Sequence, residues 1–293
     1  MVMTKICVVI FFVIKKLKYK FARNYLNLQT TKNRLIMLVI LSPAKIQNFK
    51  NSSISRFTLP MFLPRSATLI EQMRKYSLKE LVSLLNINYK LAEETYECFV
   101  KWSVPFTTKN SKQAVLAYNG EVYKSLNVTD FSDEDFDYLQ YHLRIMSGLY
   151  GMLRPLDLIQ AYRLDVSNKI DLNGTITDLY PFWRSVVTEQ LSQDLKEADN
   201  RSLIVNLASS EYSKMVDFKQ LGAKVVNFEF LQYDPNTNRY KSIVIHIKKA
   251  RGLMLRFIVK NQISQLNDLQ QFSDGGYWYN KKMSSENKMV FVR

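Results

Sequence analysis

The chain has 293 residues, of which 47% are hydrophobic and 13% aromatic, so it holds enough apolar surface for a large core and is not a disordered protein. The formal net charge is +15; eight positive charges come from residues 1–36, which hold no acid, and this leaves +7 for residues 37–293. A moderately basic domain suits a polyanionic partner such as nucleic acid. The alternative is that the surplus of positive charge serves solubility and binds no partner.

The first 36 residues differ in pattern from the rest of the chain. Residues 6–14 form an unbroken apolar run of nine, shorter than the roughly 20 residues that span a bilayer. Lysines follow this run where a signal peptide would have its small-residue cleavage site. We expect residues 1–36 to be an extension outside the fold and residues 37–293 to be one domain without a membrane partner; a membrane-surface anchor at 1–36 is the alternative.

Hydrophobic periodicity predicts the elements of this domain. Apolar runs bounded by turn residues predict buried strands at 38–41, 203–207, 225–230 and 243–247. Helical spacing predicts helices at 67–74, 78–84, 89–100, 136–146, 182–195 and 250–258. Residues 234–238, Asp-Pro-Asn-Thr-Asn, predict the turn between the last two strands. Strands near both ends of the domain flank a helical middle, which predicts an α+β (mixed α/β) fold: a single compact domain with a mixed central sheet flanked by helices.

The segment 77–98 has the layout of a helix-hairpin-helix, in which a tight turn aims backbone N–H groups toward a phosphate. Asn86 and Asn88 stand where such hairpins usually have glycine, and asparagine tolerates left-handed geometry. We take Asn86, Asn88 and the neighbouring Lys90 as candidate phosphate contacts. An ordinary helical hairpin packed on the core is equally consistent with the pattern.

The acidic run between Asp130 and Asp137 predicts a helix start capped by Ser132 or Asp133, because acids stabilise the positive end of a helix dipole. Calcium-loop spacing is missing from it. The sequence holds two histidines and two cysteines without metal-ligand spacing, and we predict no metal site, no cofactor and no disulfide framework.

Arginines surround a Gly-x-x-Gly turn at residues 147–151. Arg144, Arg154 and Arg163 bracket this turn, an arrangement that resembles phosphate clamps. Tyr150 and Tyr162 offer rings that could stack on bases, although aromatic residues in apolar surroundings more often belong to a core.

A basic helix is predicted directly after the strand at 243–247. Lys248, Lys249 and Arg251 would crowd its N-terminus at the edge of the sheet, where anions bind in layered folds. Arg256 and Lys260 lie on the same flank of the helix as Lys249. The alternative is a solvated helix face whose long side chains contact no ligand.

Polar residues after two predicted strands permit an enzyme that acts on an anionic substrate. The residues of this alternative pocket are Ser42, Lys45, Glu121, Arg154, Asp157, Ser209, Ser210 and Glu211. We find no phosphate-binding loop, nucleophile elbow or dinucleotide-binding glycine pattern, and we therefore assign no catalytic residue. Lys45 also belongs to the set of candidate DNA-contacting or anion-contacting residues.

Five segments in chain order carry a resemblance to known proteins. They are Met-Leu-Val-Ile-Leu-Ser-Pro-Ala-Lys at 37–45, Gln-Ala-Val-Leu-Ala-Tyr-Asn-Gly-Glu-Val-Tyr at 113–123, His-Leu-Arg-Ile-Met-Ser-Gly-Leu-Tyr-Gly-Met-Leu-Arg-Pro-Leu-Asp at 142–157, Asn-Leu-Ala-Ser-Ser-Glu-Tyr at 206–212 and Lys-Lys-Ala-Arg-Gly-Leu-Met at 248–254. Together they resemble the YaaA family of peroxide stress proteins, in which residues 1–36 have no counterpart.

The resemblance implies a cytosolic protein that limits damage by hydrogen peroxide and helps to keep free iron low. It also implies a basic cleft, a helix-hairpin-helix and binding of duplex DNA with low sequence specificity. Two other functions stay open at this point: the enzyme described above, and a scaffold whose basic face meets a protein partner.

Overall fold

A computed structural model describes residues 37–50, 54–172, 174–196 and 202–293, so the predicted extension at 1–36 lies outside the described residues. The strands are β1 (Met37–Leu41), β2 (Lys112–Gln113), β3 (Leu143–Ser147), β4 (Gly151–Leu153), β5 (Leu158–Ile159), β6 (Ile170–Leu172), β7 (Thr175–Thr177), β8 (Leu203–Asn206), β9 (Lys224–Asp234), β10 (Arg239–Lys241), β11 (Trp278–Tyr279) and β12 (Lys288–Val292). The helices are α1 (Leu63–Met73), α2 (Leu78–Leu85), α3 (Tyr89–Lys101), α4 (Ala114–Ala117), α5 (Glu121–Leu126), α6 (Asp133–His142), α7 (Tyr180–Lys196), α8 (Ser210–Ser213) and α9 (Val244–Lys260).

One mixed sheet of eight strands forms the centre of the described structure, in the order β11-β12-β9-β8-β1-β3-β4, with β10 paired to β9. The neighbours from β12 to β3 are parallel, whereas β4, β10 and β11 pair antiparallel to their partners. The predicted single domain with a mixed sheet flanked by helices is confirmed. Because the central strands are parallel, the residues that follow β1, β3 and β8 lie at one edge, here called the carboxyl edge.

The central strands formed where apolar runs predicted them. All five residues of β1 and all four of β8 are buried, as expected for parallel strands that are covered on both faces. The predictions of strands at 38–41, 203–207 and 225–230 are confirmed, and residues 234–238 turn from β9 into β10.

Two sequence predictions were wrong in their element type. Residues 243–247 are not a strand, because helix α9 begins at Val244. Val244 and Ile245 are exposed, while Ala250, Met254 and Ile258 are buried at helical spacing, so burial of this helical stripe outweighs the β propensity of the branched residues. As a consequence Lys248, Lys249 and Arg251 lie in the second turn of α9 rather than at its N-terminus.

The helix predicted at 136–146 is divided between α6 and β3. Ser132 caps α6 by accepting a hydrogen bond from the backbone N–H of Asp135, which confirms the predicted capped start. The helix ends at His142, and Leu143–Ser147 is then buried as a strand between β1 and β4. No helix within the described ranges is both long and apolar enough to cross a membrane.

Candidate functional site

The carboxyl edge of the sheet joins the residues that follow β1 and β8. The Ser42 hydroxyl donates to Ser209 Oγ at 3.1 Å and accepts from the Ser209 backbone N–H at 2.8 Å. Asn206, at the end of β8, donates through Nδ2 to Asn227 Oδ1 of β9 at 2.8 Å. These bonds arise because parallel neighbouring strands end at the same level, and they make the edge a polar floor.

Lys45 and Glu211 lie on one side of this floor. The Lys45 ammonium pairs with Asp165 Oδ2 at 2.7 Å, and its side chain remains 62% exposed. Tyr212 donates from its hydroxyl to the other Asp165 oxygen at 2.9 Å. Glu211 accepts from the Ser167 hydroxyl at 2.5 Å, while Ser210 is exposed at the start of α8. The structure thus gathers five of the predicted pocket residues at one edge: Ser42, Lys45, Ser209, Ser210 and Glu211.

The turn between α2 and α3 packs beside the same site. Asn86 adopts left-handed geometry with φ of 50°, and the Asn88 side chain caps α3 by accepting from Leu91 N–H at 2.8 Å. Asn168 donates to the Leu84 carbonyl at 3.1 Å and accepts from the Asp165 N–H at 2.7 Å. Hydrogen bonds of Asn168 therefore fix the turn to the segment that contains Asp165, the ion-pair partner of Lys45.

Helices α5 and α9 border the floor on another side. The Tyr123 hydroxyl of α5 donates to the Ser42 carbonyl at 2.8 Å. A Cβ atom on Gly252 of α9 would lie 2.1 Å from the Val122 carbonyl oxygen, so the two helices meet backbone to backbone. Glu121 contacts Lys249 at 3.9 Å and Lys124 at 3.3 Å.

Three cationic side chains of α9 border this side, and they differ in their exposure to solvent. Lys248 and Lys249 are exposed in the second turn. Arg251 shares the helix face of the buried Met254 and Ile258, and burial lowers the pKa of its guanidinium. The Arg251 Nε is buried and has no hydrogen-bond partner among the residues that the structure describes.

Arg256 and Lys260 pair with acids instead of standing free on α9. Arg256 contacts Asp130 through both terminal nitrogens, at 2.9 Å and 2.5 Å. Lys260 contacts Asp135 at 2.7 Å, and both cations lie over the ring of Phe131. The hydrogen bond to Asp130 raises the pKa of Arg256, and the same bond lowers the pKa of Asp130. These two cations therefore fasten α9 to the start of α6.

Arg144, Arg154 and Asp157 lie at the opposite edge of the sheet, because β4 runs antiparallel to β3 and returns the chain to the amino ends of the parallel strands. Arg144 is buried and pairs with Asp194 at 2.6 Å. Arg154 pairs at 2.9 Å with Asp157, whose side chain is fully buried. Burial raises the pKa of the Asp157 carboxyl, and the nearby Arg154 opposes that shift. Arg154 and Asp157 therefore lie at the edge of the sheet opposite to Ser42.

Tyr150 and Tyr162 belong to the core. The Tyr162 hydroxyl lies 2.7 Å from those of both Tyr118 and Ser147, and burial raises the pKa of Tyr162 to about 12. The Tyr150 hydroxyl accepts from Trp102 Nε1 at 3.1 Å. Their rings are unavailable for stacking on bases, whereas the neighbouring Arg163 is partly exposed.

A cavity of about 720 Å³ lies outside the predicted pocket. Its lining residues come from 49–50, 54–57, the end of α3, 108–113 and 160–161. No sequence pattern predicted this cavity, because its walls come from segments far apart in the chain. Elsewhere in the described ranges, no three His, Cys, Asp or Glu side chains come together as a metal-binding group.

The fold defines a mixed α/β protein whose carboxyl edge is polar and flanked by cations. A sequence model described as peroxide stress protein YaaA matches residues 37–283. A "UPF0246 protein" of Tolumonas auensis is 43% identical over 258 residues, covering 88% of this chain and 98% of the relative. A "UPF0246 protein" of Colwellia psychrerythraea is 42% identical over 258 residues, covering 88% and 99%. The chain belongs to the YaaA family of peroxide stress proteins.

Proposed function

We propose that this chain is a cytosolic peroxide-stress protein and that duplex DNA binds in a cleft at the carboxyl edge of the sheet. The observation that carries the proposal is the position of four exposed lysines on two sides of one polar floor. Lys45 and Lys90 border the cleft on the side of the α2–α3 turn, and Lys248 and Lys249 border it on the side of α9. Cations on both sides of a cleft suit the paired phosphate rows of a duplex.

Helix α3 adds a second way of holding phosphate. The first N–H groups of a helix have no partner within the helix, and the Asn88 side chain satisfies that of Leu91. The N–H groups of Tyr89 and Lys90 are thereby left for a phosphate oxygen at the positive end of the helix dipole. Contacts of this kind are made to the DNA backbone, which agrees with low sequence specificity.

The salt dependence of duplex binding tests the proposal. Four phosphate contacts predict a slope of log affinity against log salt of about −3.6, at roughly 0.9 per contact. The double variants Lys45→Ala/Lys90→Ala and Lys248→Ala/Lys249→Ala should each make the slope shallower by about 1.8. The control Lys281→Ala/Lys282→Ala removes two exposed lysines from the segment after β11 and should leave the slope unchanged.

The basic residues 1–36 add the same contribution to every variant, so differences between variants report on the described domain. Equal slopes for all three double variants would show that the cleft is not the DNA-binding surface. A change confined to the control pair would place binding at the sheet edge near β11.

The effect on iron is proposed to be indirect. A tight iron site needs several clustered donors, and the described residues bring no three His, Cys, Asp or Glu side chains together. Anaerobic equilibrium dialysis against ferrous iron should therefore find less than one bound iron per chain at micromolar metal. Stoichiometric binding at that concentration would contradict the prediction and point to a direct role in iron sequestration.

A second candidate function is an enzyme that acts on a small anion at the same edge. Arg251 favours it, because its largely buried guanidinium has no acidic partner within the described residues and is suited to an anionic ligand. Ser42 is bonded to Ser209 rather than to a general base, so these hydroxyls bind a substrate more readily than they attack one. If both cleft variants bound duplex DNA with unchanged affinity and salt dependence, this second function would be favoured.

A further inference from the structure

Among the residues that the structure describes, those lining the 720 Å³ cavity beside the C-terminal end of α3 include four lysines and no acid. Lys50, Lys101, Lys109 and Lys112 all contribute to its wall. Lys101 is neutralised by Glu97 at 2.7 Å, while Lys50 and Lys109 are exposed and make no ion pair in the described part of the chain. The cavity therefore has a positive potential.

Lys112 extends the positive charge into the protein. Burial lowers the pKa of its ammonium, and its Nζ donates to the Asn48 carbonyl at 2.9 Å. An ammonium has three donors, and a neutral carbonyl leaves its charge uncompensated. A half-buried cation without an acid is stabilised by an anionic ligand in contact with it.

The remaining wall combines aromatic and aliphatic side chains with uncharged polar ones. Phe49 is 37% exposed and Phe57 46% exposed, although both are large apolar side chains. Trp102 closes the cavity with a ring held edge-on by Phe106 and a nitrogen bonded to Tyr150. Exposed aromatic rings beside unpaired lysines fit a ligand that has a planar apolar group and a negative group.

We propose that this cavity binds a small organic anion in which an aromatic ring carries a phosphate, sulfonate or carboxylate. Its volume lies within the roughly 300–1,000 Å³ range of small-ligand sites. The ring packs against Phe49 and Phe57, and the anion contacts Lys50, Lys109 and Lys112. Cys98 and Lys101 lie about ten residues along α3 from Asn88, which separates the cavity from the proposed DNA cleft by about 15 Å.

Fluorescence titration tests the proposal with two matched probes. The anionic probe is 8-anilinonaphthalene-1-sulfonate, and the neutral one is N-phenyl-1-naphthylamine, which has the same rings without the sulfonate. The full chain should bind the sulfonate more tightly. Lys50→Ala and Lys109→Ala should each weaken sulfonate binding by about fivefold, the effect of one partly exposed ion pair, and leave the neutral probe unaffected. The control Lys281→Ala should change neither affinity.

Cys98 supplies an independent readout because it lines the cavity and is partly buried. In the Cys7→Ser variant the thiol of Cys98 is the single cysteine left to react with iodoacetamide. At ten times the dissociation constant of the sulfonate probe, occupancy should slow alkylation about tenfold. Duplex DNA should give no such protection.

Three results would each overturn the proposal. The first is equal affinity for the two probes, and the second is a sulfonate affinity that Lys50→Ala and Lys109→Ala leave unchanged. The third is displacement of the sulfonate by duplex DNA, which would assign these lysines to the nucleic-acid surface. The cleft variants should lose DNA binding and keep probe binding. The two proposals can therefore fail independently of each other.

Discussion

Asp157→Ala is expected to lower the free energy of unfolding by about 3 kcal/mol, which is the cost of leaving one partner of a buried ion pair alone. The Asp157 carboxylate accepts from Thr58 Oγ1 at 2.6 Å, from the Arg154 backbone N–H at 2.7 Å and from the Arg154 guanidinium at 2.9 Å. Its removal leaves these donors without their acceptor. The Arg154 side chain is 30% exposed, so water offsets part of the loss and holds the cost near the lower end of the range.

Urea denaturation of the full chain measures this effect. Glu286→Ala is the matched control, because Glu286 pairs with Lys224 at 3.5 Å while 82% exposed, and its loss should cost less than about 0.5 kcal/mol. Asp157→Asn should fall between the control and the alanine variant, since the amide oxygen still accepts one of the three bonds. An Asp157→Ala protein as stable as the control would mean that the carboxylate does not hold Thr58 and Arg154 in place. Asp157 would then again be a candidate for a role in binding or catalysis.

The sequence was sufficient to predict the centre of the sheet. β1 is a short apolar run, and β8 is apolar up to its last residue, Asn206; runs of this length favour a strand over a helix. Residues 243–247 are also mainly apolar and β-branched, but Ile243 is the N-cap of α9 and residues 244–247 form its first turn. These residues continue into the rest of α9, whose buried face packs through long-range contacts, such as that of Gly252 with α5, that local periodicity does not encode.

The candidate site was predictable in part for a related reason. Ser42 and Ser209 follow parallel neighbouring strands, so strand order alone brings them together. Arg154 follows a strand whose direction depends on the turn after Ser147, and sequence patterns give no strand direction. The walls of the cavity beside α3 come from four regions of the chain, so the cavity has no periodic signature.

Gly148→Ala is expected to disturb both stability and the cleft. A Cβ atom on Gly148 would lie 2.2 Å from the Leu164 carbonyl oxygen and 2.9 Å from the Asp165 carbonyl carbon. Both are backbone atoms, so the 164–165 segment must move rather than a flexible side chain. We expect a loss of about 3 kcal/mol, the upper part of the usual range for overpacking.

The same movement should weaken DNA binding, because Asp165 holds Lys45 and is bonded to the Asn168 that fixes the α2–α3 turn. Gly222→Ala is the control: Gly222 has φ of +63° with no atom within 4 Å of an added Cβ, so alanine there costs about 1 kcal/mol of left-handed strain and leaves the cleft intact. Thermal unfolding and the salt-dependent duplex titration should therefore change together in Gly148→Ala, whereas Gly222→Ala should change the first alone. If Gly148→Ala lost stability but bound duplex DNA with unchanged affinity, the position of Asp165 would not control the cleft, and the DNA contacts would have to come from the α9 side.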